Sequence, residues 1–127
     1  LKAKYYLRYA DDFIILHHDR KILENYLPLV CHFLSEALVL QVHPQKIYLK
    51  TVVSGVGFLG WVHFPDHRIL RTTTKKRMYR RIIESPKEEI YKSYLGMLKH
   101  GNTFKIRREI KRIYAENKGK ESESKEF

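Results

Sequence analysis

Apolar residues near the start of the chain fall in two short runs around an acidic pair. Residues 4–17, KYYLRYADDFIILH, carry Tyr, Leu, Phe and Ile on either side of Asp11-Asp12. These are residue types that strands favour, and the pattern predicts a β-hairpin with the aspartates at its turn. From Asp19 to about Leu38 the period changes. Ile22, Leu23, Tyr26, Leu27, Val30, Phe33, Leu34 and Leu38 recur at helical spacing, with Asp19 placed as N-cap. Pro28 lies inside that pattern and is expected to kink or split the helix. Leu40–Val42 and Ile47–Val53 are short strand candidates, separated by His43-Pro44-Gln45. Residues 56–64, VGFLGWVHF, predict a further strand, turned back at Pro65-Asp66-His67 onto Arg68–Arg71.

The remainder is helical in pattern. Lys75–Glu84 predicts one basic helix. Ser85-Pro86-Lys87-Glu88 predicts the start of a second, with Ser85 as N-cap, Pro86 in the first position and Glu88 closing a capping box. That helix is expected to run to about Lys99, with Gly101 ending it. A third is expected from Phe104 to Ala115, capped by Asn102 or Thr103. The last residues, 116–127, are polar and low in complexity, and are expected to be a disordered tail. The fold class is α+β: antiparallel strands with one helix, then a helical segment.

Composition narrows the function classes. In 127 residues, 43% are hydrophobic and 31% charged, which places the chain among globular proteins. No run approaches the roughly 20 apolar residues of a membrane span. The single cysteine, Cys31, cannot make a disulfide framework or a cysteine-based zinc site, so a cytoplasmic, reducing setting is expected. The seven histidines show no zinc-site spacing.

The net charge of +11 points to a polyanionic partner, most simply nucleic acid. It is unevenly placed. Residues 1–67 hold 7 basic and 6 acidic side chains, whereas residues 68–113 hold 15 and 4. Within the second segment, Arg68, Arg71, Lys75, Lys76, Arg77, Arg80 and Arg81 form one basic set. Lys105, Arg107, Arg108, Lys111 and Arg112 form another. Both suit contact with the phosphates of a duplex without reading its sequence.

The acidic pair is the candidate for chemistry. Two carboxylates held on a tight turn suit Mg²⁺, which binds through one or two carboxylates, waters and substrate phosphates. Two-metal phosphoryl transfer needs carboxylates held this way. An aspartate pair that merely satisfies its own turn is the plainer reading of those two residues alone.

Tyr9-Ala10-Asp11-Asp12, with Phe13 behind it, resembles the Tyr-x-Asp-Asp box of reverse transcriptases, in the form found in the bacterial branch: group II intron, retron and diversity-generating types. Further segments resemble the same family in the same order. Val42-His43-Pro44-Gln45-Lys46 resembles the stretch after the box that ends in lysine. Gly57-Phe58-Leu59-Gly60-Trp61 resembles the primer grip. Ser93 to His100, SYLGMLKH, resembles the first part of the thumb. The similarity covers roughly residues 3 to 115.

The resemblance implies a partial palm over residues 1–73 and a helical thumb over 74–115. It implies an RNA-directed DNA polymerase, a nucleotidyltransferase using Mg²⁺, with Mn²⁺ as a possible substitute. Its substrates would be dNTPs, an RNA template and a DNA primer or product duplex. Asp11 would be the direct metal ligand and Asp12 the supporting one. Lys46 would act near the triphosphate. Tyr9 and Ala10 would line the nucleotide and primer-terminus site, and Phe58, Leu59, Gly60 and Trp61 would form the primer grip. The family also needs an aspartate from an earlier strand and a fingers region, which this sequence does not contain. The chain is therefore expected to be a piece of a larger polymerase, inactive alone, with the fingers and upstream palm as its partner. The alternative is a non-catalytic basic nucleic-acid-binding domain whose aspartate pair is structural.

Overall fold

The computed structural model describes residues 2–123, and these fold as α+β: two small antiparallel sheets and four helices, with the C-terminal part helical. The chain divides into two compact units, Leu1–Leu49 and Lys50–Phe127.

The first unit opens with the expected hairpin. Strand β1 (Tyr5–Tyr9) pairs with β2 (Asp12–Leu16), in the register Tyr5↔Leu16, Leu7↔Ile14 and Tyr9↔Asp12. Ala10 and Asp11 form a two-residue loop. Only Ala10 takes a positive φ, 49°, as the first loop residue of a type II′ turn does. Helix α1 (Arg20–Leu38) follows, and the Asp19 carboxylate accepts the Lys21 amide at 2.9 Å. Pro28 does not split it. Proline removes one hydrogen bond, and the other turns of a 19-residue helix carry the ladder through.

The strands expected at 40–42 and 47–53 do not form. Two 3-10 turns, Pro44–Lys46 and Val52–Ser54, stand in this stretch instead. A strand exists through its ladder, and no described strand pairs with these residues. None of the described residues of this unit is buried.

The second unit holds the core. Residues 56–64 form a hairpin rather than one strand: β3 (Val56–Phe58), the loop Leu59-Gly60, and β4 (Trp61–His63). Both loop residues have positive φ, 51° and 84°, the type I′ geometry that matches strand twist. β5 (Arg68–Leu70) adds to β4 after the expected turn, giving the order β3-β4-β5.

Helices α2 (Thr72–Glu84), α3 (Glu88–Leu98) and α4 (Phe104–Glu123) complete the unit. Trp61, Leu70, Met78, Ile82, Leu98 and Ile110 are its buried apolar residues.

Helix α3 starts two residues later than expected. Ser85 ends α2, its amide donating to the Arg81 carbonyl at 3.0 Å, and Lys87 N–H turns back to the Ser85 carbonyl. Glu88 therefore makes no capping box and pairs with Lys92 at 2.7 Å. Thr103, 2% exposed, donates its hydroxyl to the Leu98 carbonyl, so it seals the end of α3 as α4 begins.

Helix α4 continues through 116–123, where a disordered tail is expected. Adding a turn to an existing helix is far easier than starting one. Of the expected tail, residues 124–127 lie outside the described residues.

Candidate active site and nucleic-acid surface

The hairpin places Asp11 in its loop and Asp12 at the head of β2. Both side chains are exposed, and neither has a hydrogen-bond or ion-pair partner among the described residues. The loop is braced from one side, where Arg8 Nε donates to the Ala10 carbonyl at 3.0 Å. Tyr9 is the register partner of Asp12, so the two share a face of the hairpin. Tyr9 is 63% exposed.

Two free carboxylates on a braced turn fit the coordination habits of Mg²⁺, which keeps most of its waters. No group of three or more His, Cys, Asp or Glu residues gathers among the described residues. Lys46 ends the 3-10 turn Pro44–Lys46, exposed, with its amide on the His43 carbonyl at 2.9 Å. No ion pair joins it to the aspartates.

In the second unit the primer-grip candidates occupy a hairpin tip. Leu59 projects from it, 49% exposed, and Phe58 is half-buried. Trp61 is 5% exposed. Its ring lies against Gly101. A Cβ on that glycine would come within 2.7 and 3.3 Å of ring carbons. Gly101 thus serves as the place where the sheet meets the α3–α4 turn, and its φ is not left-handed. Arg68 lies over the same indole, 5.5 Å from the ring centre.

Most members of the two basic sets are exposed. On α2, Thr74, Met78 and Ile82 face the core while Lys76, Arg77, Arg80 and Arg81 are exposed. On α4, Ile110 is buried while Lys105, Arg107, Arg108, Lys111 and Arg112 are exposed. Of the twelve basic candidates in the two sets, only Arg112 has a carboxylate partner among the described residues, Glu116 at 3.8 Å. Lys75 is spent on the Tyr79 ring, 5.5 Å from its centre.

Tyr79, Tyr91, Tyr94 and Tyr114 pack against the core. The Tyr79 hydroxyl donates to the Glu109 carboxylate, tying α2 to α4. Burial, then this carboxylate, pushes the Tyr79 hydroxyl far above the ordinary tyrosine range.

Three contacts have no clear signal in the sequence: Trp61 on Gly101, Tyr79 on Glu109, and Arg71 on Gly57. Each joins residues distant along the chain, and neither partner's type announces the other. The chain matches no protein-family model, and no curated protein matches it. Among the described residues no helix is long and apolar enough to cross a membrane.

Proposed function

We propose that this chain is part of an RNA-directed DNA polymerase, a reverse transcriptase, carrying the acidic turn of its active site and a surface for the primer–template duplex. The observation that carries this reading is the hairpin tip, where Asp11 and Asp12 stand unpartnered in the Tyr9-Ala10-Asp11-Asp12 context. Exposed carboxylates on one turn are open to a divalent ion such as Mg²⁺, which binds through one or two carboxylates and keeps most of its waters.

In this reading Asp11 and Asp12 hold Mg²⁺. When bound, the ion would lower the charge on the reacting phosphates and favour the attacking form of the primer 3′-hydroxyl. Tyr9, beside Asp12 on the same face, would support the primer terminus or the incoming base. Lys46 would sit toward the triphosphate and stabilise the charge that develops on pyrophosphate. The exposed arginines and lysines of α2 and α4 would hold the duplex backbone, independent of its sequence. A single free cysteine, Cys31, fits a reducing compartment such as the cytoplasm.

The test uses the polymerase polypeptide that carries this sequence, in Mg²⁺-dependent extension of a DNA primer on an RNA template. Asp11→Ala is expected to abolish extension and leave duplex binding nearly unchanged. Extension that survives the substitution would overturn the metal role.

A second reading has its own support. The basic excess and all the buried residues among those described lie in the second unit, so binding alone needs nothing from the aspartates. A chain that binds duplex while its complete polypeptide never extends a primer would be a basic nucleic-acid-binding domain.

A further inference from the structure

The three-stranded sheet has two unlike faces. Phe58, Trp61 and Leu70 form one row across it, and Trp61 and Leu70 are buried, so this row faces the core. Gly57, Val62 and Ile69 form the next row, which alternation turns to the other face, where Ile69 is 46% exposed. Arg71 comes two residues after Ile69. Its main-chain amide is fixed on the Gly60 carbonyl at 2.9 Å.

The guanidinium of Arg71 then folds back over Gly57. A Cβ on that glycine would collide with Nη2 and stand 3.2 Å from Cζ and 3.4 Å from Nε. The missing side chain is thus what lets the planar group lie on the strand. Arg71 is exposed, and its side chain has no carboxylate or carbonyl partner among the described residues.

Gly57 also occupies a free edge, because β3 ends the sheet. In a two-residue hairpin the closing pair, here Phe58–Trp61, exchanges hydrogen bonds and the next pair does not. The Gly57 N–H therefore points outward from that edge.

We infer that Gly57 is a positioning residue that seats the Arg71 guanidinium, and that the two form a cradle for one phosphodiester of a nucleic-acid backbone. A fork of donors held flat suits two phosphate oxygens, and the nearby backbone N–H suits a third contact. The inference rests on the duplex-binding part of the proposed function.

Its test is a double-mutant cycle on the full chain, read by fluorescence anisotropy with a blunt RNA–DNA hybrid at fixed salt. Gly57→Ala is a mild change to the fold. Its φ is ordinary, and the atom it meets is the end of a flexible side chain. It leaves the charge of Arg71 in place and moves only where that charge sits.

Arg71→Ala and Gly57→Ala are each expected to weaken binding about tenfold, the size expected for one charged hydrogen-bonded interaction. In the Arg71→Ala background, Gly57→Ala is expected to cost nothing more, and melting temperatures should stay near wild type. Arg71→Lys is expected to bind weakly although its charge is kept. Additive losses in the double variant, wild-type affinity in Gly57→Ala, or wild-type affinity in Arg71→Lys would each overturn the cradle while leaving duplex binding intact. A full chain that binds no hybrid would overturn the parent reading and the cradle with it.

Discussion

Val39 ends α1 in the left-handed region, at φ 53°, with its side chain 88% exposed. Its N–H closes on the Leu34 carbonyl, and so does that of Leu40, at 2.9 Å. Helices commonly end this way, but on glycine, because a β-branched side chain crowds its own backbone there. Val39→Gly should remove the strain and lose no packing, since little covers the side chain. A gain of about 1 kcal/mol is expected, measured by urea unfolding. A loss would show that valine is held by interactions beyond the backbone. Sequence identifies caps well when the residue type is the mechanism, as with Asp19, whose carboxylate is suited to the Lys21 amide. It fails where a residue serves a distant partner. Gly101 looks like a helix terminator by its place after Lys99. In the fold its bare Cα makes room for Trp61.

Among elements, the β1–β2 and β3–β4 hairpins depend on two-residue loops, yet only the first is legible in the sequence. Asp11-Asp12 between apolar runs marks the first turn. Leu59-Gly60 hides the second, because leucine at positive φ is not a turn signal and VGFLGWVHF looks like one strand. Ser85-Pro86 misleads in the other direction, since a good cap motif loses to the chain reversal between α2 and α3.

The α2–α4 contact leads to a pH prediction. The Tyr79 hydroxyl, half-buried and donating to Glu109, keeps its proton well above the ordinary value of 10.0. The folded state thus binds this proton more tightly than the unfolded chain does. Stability is unaffected below about pH 10, where both states are protonated, and must fall as pH rises beyond it. Tyr79→Phe should flatten much of that alkaline decline in thermal melts. A residual slope is expected from Tyr91, whose hydroxyl is also raised, by burial and then by Tyr114, and from Lys92, raised by its hydrogen bond to Glu88. An unchanged alkaline decline in Tyr79→Phe would refute the clamp.

At the scale of the whole chain, charge and core coincide. Residues 68–113 carry 15 basic side chains, and the six buried apolar residues among those described lie in the second unit. The charge is legible from composition. The core is not, because the longest apolar patterns, 4–17 and 19–38, lie in the first unit, where no described residue is buried. A two-stranded hairpin and one helix are too few layers to enclose their apolar faces. Duplex binding should therefore be a property of the second unit. A polypeptide of residues 50–127 should keep the affinity of the full chain and the same steep salt dependence. Removing one phosphate interaction makes the slope of log K against log salt shallower by about 0.9 on B-form DNA. Replacing Arg77, Arg80 and Arg81 with alanine should reduce that slope by one such step for each phosphate they hold. Replacing Lys2, Lys4 and Lys21 should leave it unchanged, because these lie in the nearly neutral part of the chain. Titration of binding from low to moderate salt separates the two sets. Equal slopes for both triple variants would mean that the arginines of α2 face solvent rather than phosphate.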